Sequence, residues 1–228
     1  MQVSQRTVFF HNTSSRGFSG STLVGLLARL TDIPVPEPDR SISDRLSHWL
    51  RWTDAISLSS VLGGQPAAAA PSRAVALGGT EEAEVRRVHA ALLKTLAEDG
   101  DAATATTDFS PHRRRYVARQ QAMENALGPL RGRLRSALAG RSAAMAQLAA
   151  VDMVMEQALS PHEQRVLATV PTLLEKHFNR LRRAEVDRDE SPDIWRAGFA
   201  RDLQSVLLAE LEIRMQPIDG LLEALHKR

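Results

Sequence analysis

The sequence contains no cysteine. Disulfides, thiolate nucleophiles and cysteine-based zinc or iron–sulfur sites are therefore excluded. Aromatic residues are also few, at 4%, with a single tyrosine. A chain poor in aromatics and rich in alanine and leucine suits helices packed through small and γ-branched side chains better than a β-sandwich, which draws on Val, Ile, Thr and Tyr. No apolar run approaches the ~20 residues that a spanning helix needs. Met1–Phe10 holds one arginine and no continuous apolar stretch ahead of a small-residue cleavage site, so neither a leader nor membrane insertion is expected, and the expected location is cytoplasmic. A dominant charge is missing too: 29 Lys+Arg against 27 Asp+Glu leave +2 over 228 residues, so any function resting on charge must come from local clustering.

Motifs of catalysis are likewise absent. No G-x-x-x-x-G-K-[ST], G-x-G-x-x-G or G-x-S-x-G string occurs, and no His-x-x-x-His pair that would aim two ligands from one helix face at an ion. The nearest approximations are Asp44 with His48, which reads as a surface i,i+4 pair, and Asp152 with Glu156, which read as flanking a core stripe. No catalytic residue, cofactor or metal is expected, and the reading is of a non-enzymatic protein.

What is present is helical. Hydrophobic residues at 43% and charged residues at 25% are enough to bury a sizeable core. Residues 1–20 read as a flexible arm, 21–62 as an N-terminal helical pair, 63–79 as a Gly/Pro/Ala linker and 80–228 as the main bundle. In the pair, Leu23, Leu26, Leu27 and Leu30 form one stripe. Ser41 and Asp44 cap a second helix, whose buried stripe is expected to run through Leu46, Trp49, Leu50, Thr53 and Ile56. Ser110-Pro111 should open the first long helix with Ser110 as its cap. Ser160-Pro161 is the strongest boundary signal, and Pro217 should interrupt the last helix. The fold expected is all-α: an irregular antiparallel bundle of long helices over 111–139, 143–159, 161–186 and 192–215, with the shorter N-terminal helices at one end. Trp49 and Trp195 should face inward and Trp52 should lie nearer the rim.

One feature rises above background. Between Pro111 and Arg141 lie Arg113, Arg114, Arg115, Arg119, Arg131, Arg133, Arg135 and Arg141 against the single acid Glu124, a local charge of +7. Arginine suits bidentate contact with phosphate or carboxylate, and Tyr116 could stack beside it. The stripe, with Arg113, Arg114, Arg115, Arg119, Arg131, Arg133 and Arg135 as its candidate anion-binding set, has three readings. It binds a protein partner, or binds nucleic acid, or pairs internally with the acidic turn Glu185, Asp187, Asp189, Glu190 and Asp193 or stays solvated. Leucine stripes at 123–138 and 203–225 read as core, with a homo-oligomer or partner surface as the alternative.

The strings TLVGLLARLTD at 22–32, SISDRLSHWLRWTDAISLSSVL at 41–62, RRRYVARQQAMENALGPLRGRLR at 113–135, AAVDMVMEQAL at 149–159, LLEKHFNRLR at 173–182 and LLAELEIRMQPIDGLLEAL at 207–225 resemble a proteobacterial family of unknown function of the Xanthomonas and Burkholderia type. The resemblance covers the chain from about Ser21 onward and not the arm before it. It implies no activity, cofactor or catalytic residue. It does imply a genomic setting beside an OmpA-like peptidoglycan-binding protein and a membrane protein with long helical extensions, similar to an ion-driven envelope motor. The expected function is therefore a helical adaptor with a protein partner, for which the resemblance implies the setting of a cytoplasmic accessory to an envelope complex. Nucleic-acid binding by the arginine stripe is the alternative, and an enzyme with an unrecognised site is the third reading.

Overall fold

The computed structural model describes residues 22–32, 41–50, 52–64, 78–102, 108–188 and 192–227. The expected arm at 1–20 and most of the expected linker lie outside them. Every element is helical among these residues: α1 Thr22–Thr31, α2 Ile42–Trp49, α3 Trp52–Gly63, α4 Gly78–Ala102, α5 Ser110–Ala139, α6 Ala143–Leu167, α7 Val170–Arg188 and α8 Pro192–His226. The chain is an all-α helical bundle.

The contacts along α5 order the rods. Arg135 and Arg131 meet Asp152 and Glu156, Gln120 meets Leu167, Arg113 meets Glu175, and His112 meets Phe178. α6 and α7 therefore run as one bent rod antiparallel to α5. α8 returns beside α5 in the same direction, since Tyr116 meets Glu210, Glu124 meets Arg214 and Arg141 meets the Leu225 carbonyl. α4 lies across α5 and α8, tied by Glu84 to Arg133 and by Glu82 to His226.

Prolines mark the corrections to the expected boundaries. Ser160-Pro161 does not end a helix: α6 runs through Pro161 to Leu167, and α8 runs through Pro217. A proline removes one helical hydrogen bond, from the carbonyl four residues earlier. For Pro161 that carbonyl belongs to Gln157, and both residues are exposed, so water can take the bond. The break falls instead at Ala168–Thr169, ahead of Pro171, the second residue of α7. The Leu167 carbonyl, deprived of its Pro171 donor, accepts a hydrogen bond from Gln120 Nε2 at 3.2 Å. Ser110 is not the cap of α5 but its first residue; Asp108 accepts hydrogen bonds from both the Ser110 backbone and its hydroxyl. Ser41 does cap α2, accepting from the Asp44 N–H at 3.1 Å.

The core collects the few aromatics at one end. Phe178 meets Phe199 at 5.0 Å, Trp195 at 5.1 Å and Phe109 at 5.7 Å, all tilted or edge-on as ring quadrupoles prefer. Met123, Leu127, Leu130, Leu134 and Leu138 continue the core along α5, as their spacing predicts. The short helices do not gather at one end. α1 packs on α7 and α8, where Arg180 donates to the Leu30 carbonyl at 2.7 Å. The expected second helix is instead two, α2 ending at Trp49 and α3 beginning at Trp52, and both lie on α6. Trp49 stacks on His162 at 4.1 Å, but Ile56 is exposed, contrary to the expected stripe, and α3 buries none of its residues.

Candidate functional site

The arginines of α5 do not form one solvated face. Arg131 and Arg135 share a face, one turn apart, and that face is pressed against α6. Arg131 donates from Nε and Nη2 to Asp152 at 2.9 and 2.6 Å. Arg135 donates from Nε to Asp152 at 2.6 Å and from Nη2 to Glu156. All four side chains are at least two-thirds buried. Burial alone would raise the Asp152 carboxyl, yet the hydrogen bonds from the two guanidiniums outweigh it and hold the group below its ordinary range. The same bonds raise Arg135 against the opposing effect of burial.

Arg133 points the other way, to Glu84 of α4 at 2.7 Å, and Arg113 stands 3.6 Å from Glu175; both pairs are exposed and screened. Arg114 is exposed near Asp108, while Arg115 and Arg119 are half-buried. Among the described residues the internal partners of the stripe are chiefly Asp152 and Glu156; the side chains of the expected acidic turn lie outside the described residues. The spacing of Asp152 and Glu156 was right for one face, but that face is an ion-pair seam between helices.

A second polar centre escaped the sequence reading. Glu210 is fully buried. It accepts from Tyr116 Oη at 2.6 Å, from Gln120 Nε2 at 3.1 Å, and from Arg214 Nε at 2.9 Å and Nη2 at 2.8 Å. A buried carboxylate is tolerable only with such a set of donors. Burial first, and then the charge of Glu210, push the Tyr116 hydroxyl far above its ordinary pKa. One signal was available: Glu210 falls on the stripe of Leu203, Val206, Leu207 and Leu211, where an acid is out of place.

Between these two centres lies a groove of about 340 Å³, with α5 as its floor and α6 and α8 as walls. Leu127 on the floor and Ile213 and Ile218 on the α8 wall are its apolar lining, and Glu124, Glu163, Arg131 and Arg214 its charged edges. Among the described residues no group of three or more His, Asp or Glu is placed to hold a metal ion, and no helix is long and apolar enough to cross a membrane.

Residues 10–227 match DUF3348, a family described as a protein of unknown function. The chain belongs to that family. Membership begins at residue 10, so half of the arm that the sequence reading set outside the family lies within it. No curated protein and no solved structure matches the chain. The family assigns no role to any residue, and a functional reading of this DUF3348 member therefore stands on its own surface and site.

Proposed function

We propose that the protein is a non-enzymatic helical adaptor that binds a protein partner through the outward face of α3. The observation that carries this reading is the exposure of Trp52, at 81%, with Ile56 and Leu62 on the same short helix. Single exposed apolar residues are ordinary. Trp52 and Ile56, one turn apart on a 12-residue helix that has no fully buried residue and carries one charge, Asp54, make an apolar face of the kind that partners cover. Tryptophan is also the residue most enriched where binding energy concentrates. The helix is held from behind, with Gln147 Nε2 donating to the Val61 and Leu62 carbonyls at 3.1 Å each, so the face is presented on a fixed support.

A cytoplasmic envelope-complex accessory is the setting we favour, on the family resemblance alone. Nucleic-acid binding through the arginine stripe is the weaker reading, because phosphate would have to displace Asp152 and Glu156 from Arg131 and Arg135. The test is affinity capture from the native organism with the wild type and with Trp52→Ser/Ile56→Ser, followed by titration of the purified captured protein. Expected is a stoichiometric complex that the double variant loses at unchanged melting temperature, with little dependence on salt. Equal binding by the variant, or binding that collapses as ionic strength rises, would overturn the proposal.

A further inference from the structure

Among the described residues, the groove between α6 and α8 has a charge that its neighbours do not cancel. Arg131 and Arg135 are matched by Asp152 and Glu156, and Arg214 by Glu210, through the hydrogen bonds described above. Two carboxylates are left over at the groove edges. Glu124, on α5, stands a long 3.5 Å from Arg214 Nη1 and is one-third exposed. Glu163, on α6, is exposed and makes no ion pair among the described residues. The cationic side chains in the lining are already committed to buried carboxylates, so the groove offers acceptors and surplus negative charge in a protein whose net charge is positive.

Its shape fits a chain segment. α6 and α8 each pack on α5 rather than mainly on each other, which leaves a trough along the α5 surface. Its apolar lining is Leu127 on the floor and Ile213 and Ile218 on the α8 wall, with Ile213 the most exposed of the three, and the floor is open at Gly128, where a Cβ would meet no atom within 4 Å. An apolar lining bordered by the unpaired Glu163 and the loosely paired Glu124 is complementary to an amphipathic segment with apolar residues on one side and basic residues beside them. We propose that this groove is a docking site for a basic amphipathic segment of a protein partner, seated on Leu127, Ile213 and Ile218 with its cationic side chains between Glu124 and Glu163. The site is separate from the α3 face. The two together would let one chain bridge two partners, and either can fail without the other.

The experiment uses the full chain with isotopically labelled isoleucine methyl groups. The probe is a synthetic helical peptide carrying leucine and arginine at i,i+4 spacing; the controls are the same peptide with glutamate for arginine, and spermidine. Expected are shifts of the Ile213 and Ile218 methyls with the arginine peptide, while the exposed Ile56 and Ile194 methyls stay still. Glu124→Gln/Glu163→Gln should weaken the peptide at least about tenfold. Gly128→Leu should block it, while leaving the fold intact because leucine is the better helix former and the space is open. Equal binding of the glutamate peptide, tight binding of spermidine, shifts at Ile56 or Ile194 instead, or a Gly128→Leu protein that binds as well as the wild type would each overturn the proposal. Loss of partner capture by Trp52→Ser/Ile56→Ser leaves this outcome untouched, so the two proposals are told apart.

Discussion

Arg131 grips both carboxylate oxygens of Asp152 across the α5–α6 seam, from Nε at 2.9 Å and Nη2 at 2.6 Å. The pair is more than four-fifths buried, so each charge depends on the other. Removing one partner leaves an uncompensated charge in a medium that solvates it poorly. Asp152→Ala should therefore cost about 3–5 kcal/mol in urea unfolding, since it leaves two buried guanidiniums with Glu156 as their one shared carboxylate. The Asp152 carboxyl also sets an acid limit. Its folded pKa lies below the ordinary 3.8, so its contribution is whole above that value and is lost as pH falls through the depressed one. An acid-unfolding profile unchanged in Asp152→Ala would count against this account.

Tyr116 donates to a carboxylate with no access to water. Tyr116→Phe keeps the ring and deletes the donor, so it should cost about 1.5–3 kcal/mol by chemical denaturation, as expected for a hydrogen bond to a charged group. A variant as stable as the wild type would mean that Gln120 and Arg214 alone satisfy Glu210.

His112 is buried among Phe109, Phe178 and Phe199, and neither ring nitrogen has a hydrogen-bond partner. Burial lowers its pKa, Arg115 lowers it further, and Asp108 opposes them. With the folded value below the ordinary 6.5, the unfolded chain binds more protons between the two. Stability should fall as pH drops from about 6.5 through that window. Melting temperatures at about pH 7.5 and about pH 5 should differ less in His112→Leu than in the wild type. An equal drop in both would place the titrating group elsewhere.

Trp195 and Trp52 should behave oppositely. Trp195 is buried against Phe178, so Trp195→Ala should cost about 3–5 kcal/mol. Trp52→Ser should leave the melting temperature unchanged, because the ring is already in water. A stable Trp195→Ala protein would remove that end of α8 from the core.

The helical class, the stripe of α5 and the inward turn of Trp195 follow from local spacing, because a period of 3.6 residues fixes which side chains share a face. The Ser41 cap is equally local, a hydroxyl three residues from the amide it serves. What shares a face is a property of one helix; what the face meets is not. Arg131 and Arg135 are neighbours on any α5, but only the antiparallel course of α6 sets Asp152 and Glu156 opposite them and turns an apparent anion-binding stripe into an internal seam. The prolines divide in the same way. Each removes a hydrogen bond wherever it stands, yet Pro161 leaves its helix intact, and α6 ends ahead of Pro171, where the orphaned Leu167 carbonyl finds Gln120 on another helix. Glu210 sits in an apolar stripe that by itself would reject it, and is tolerated because Tyr116 and Gln120 arrive from α5 with their donors aimed at it. Sequence sets the periodicity, and packing decides the partners, since a buried charge or carbonyl is stabilised only by groups that the rest of the chain brings to it.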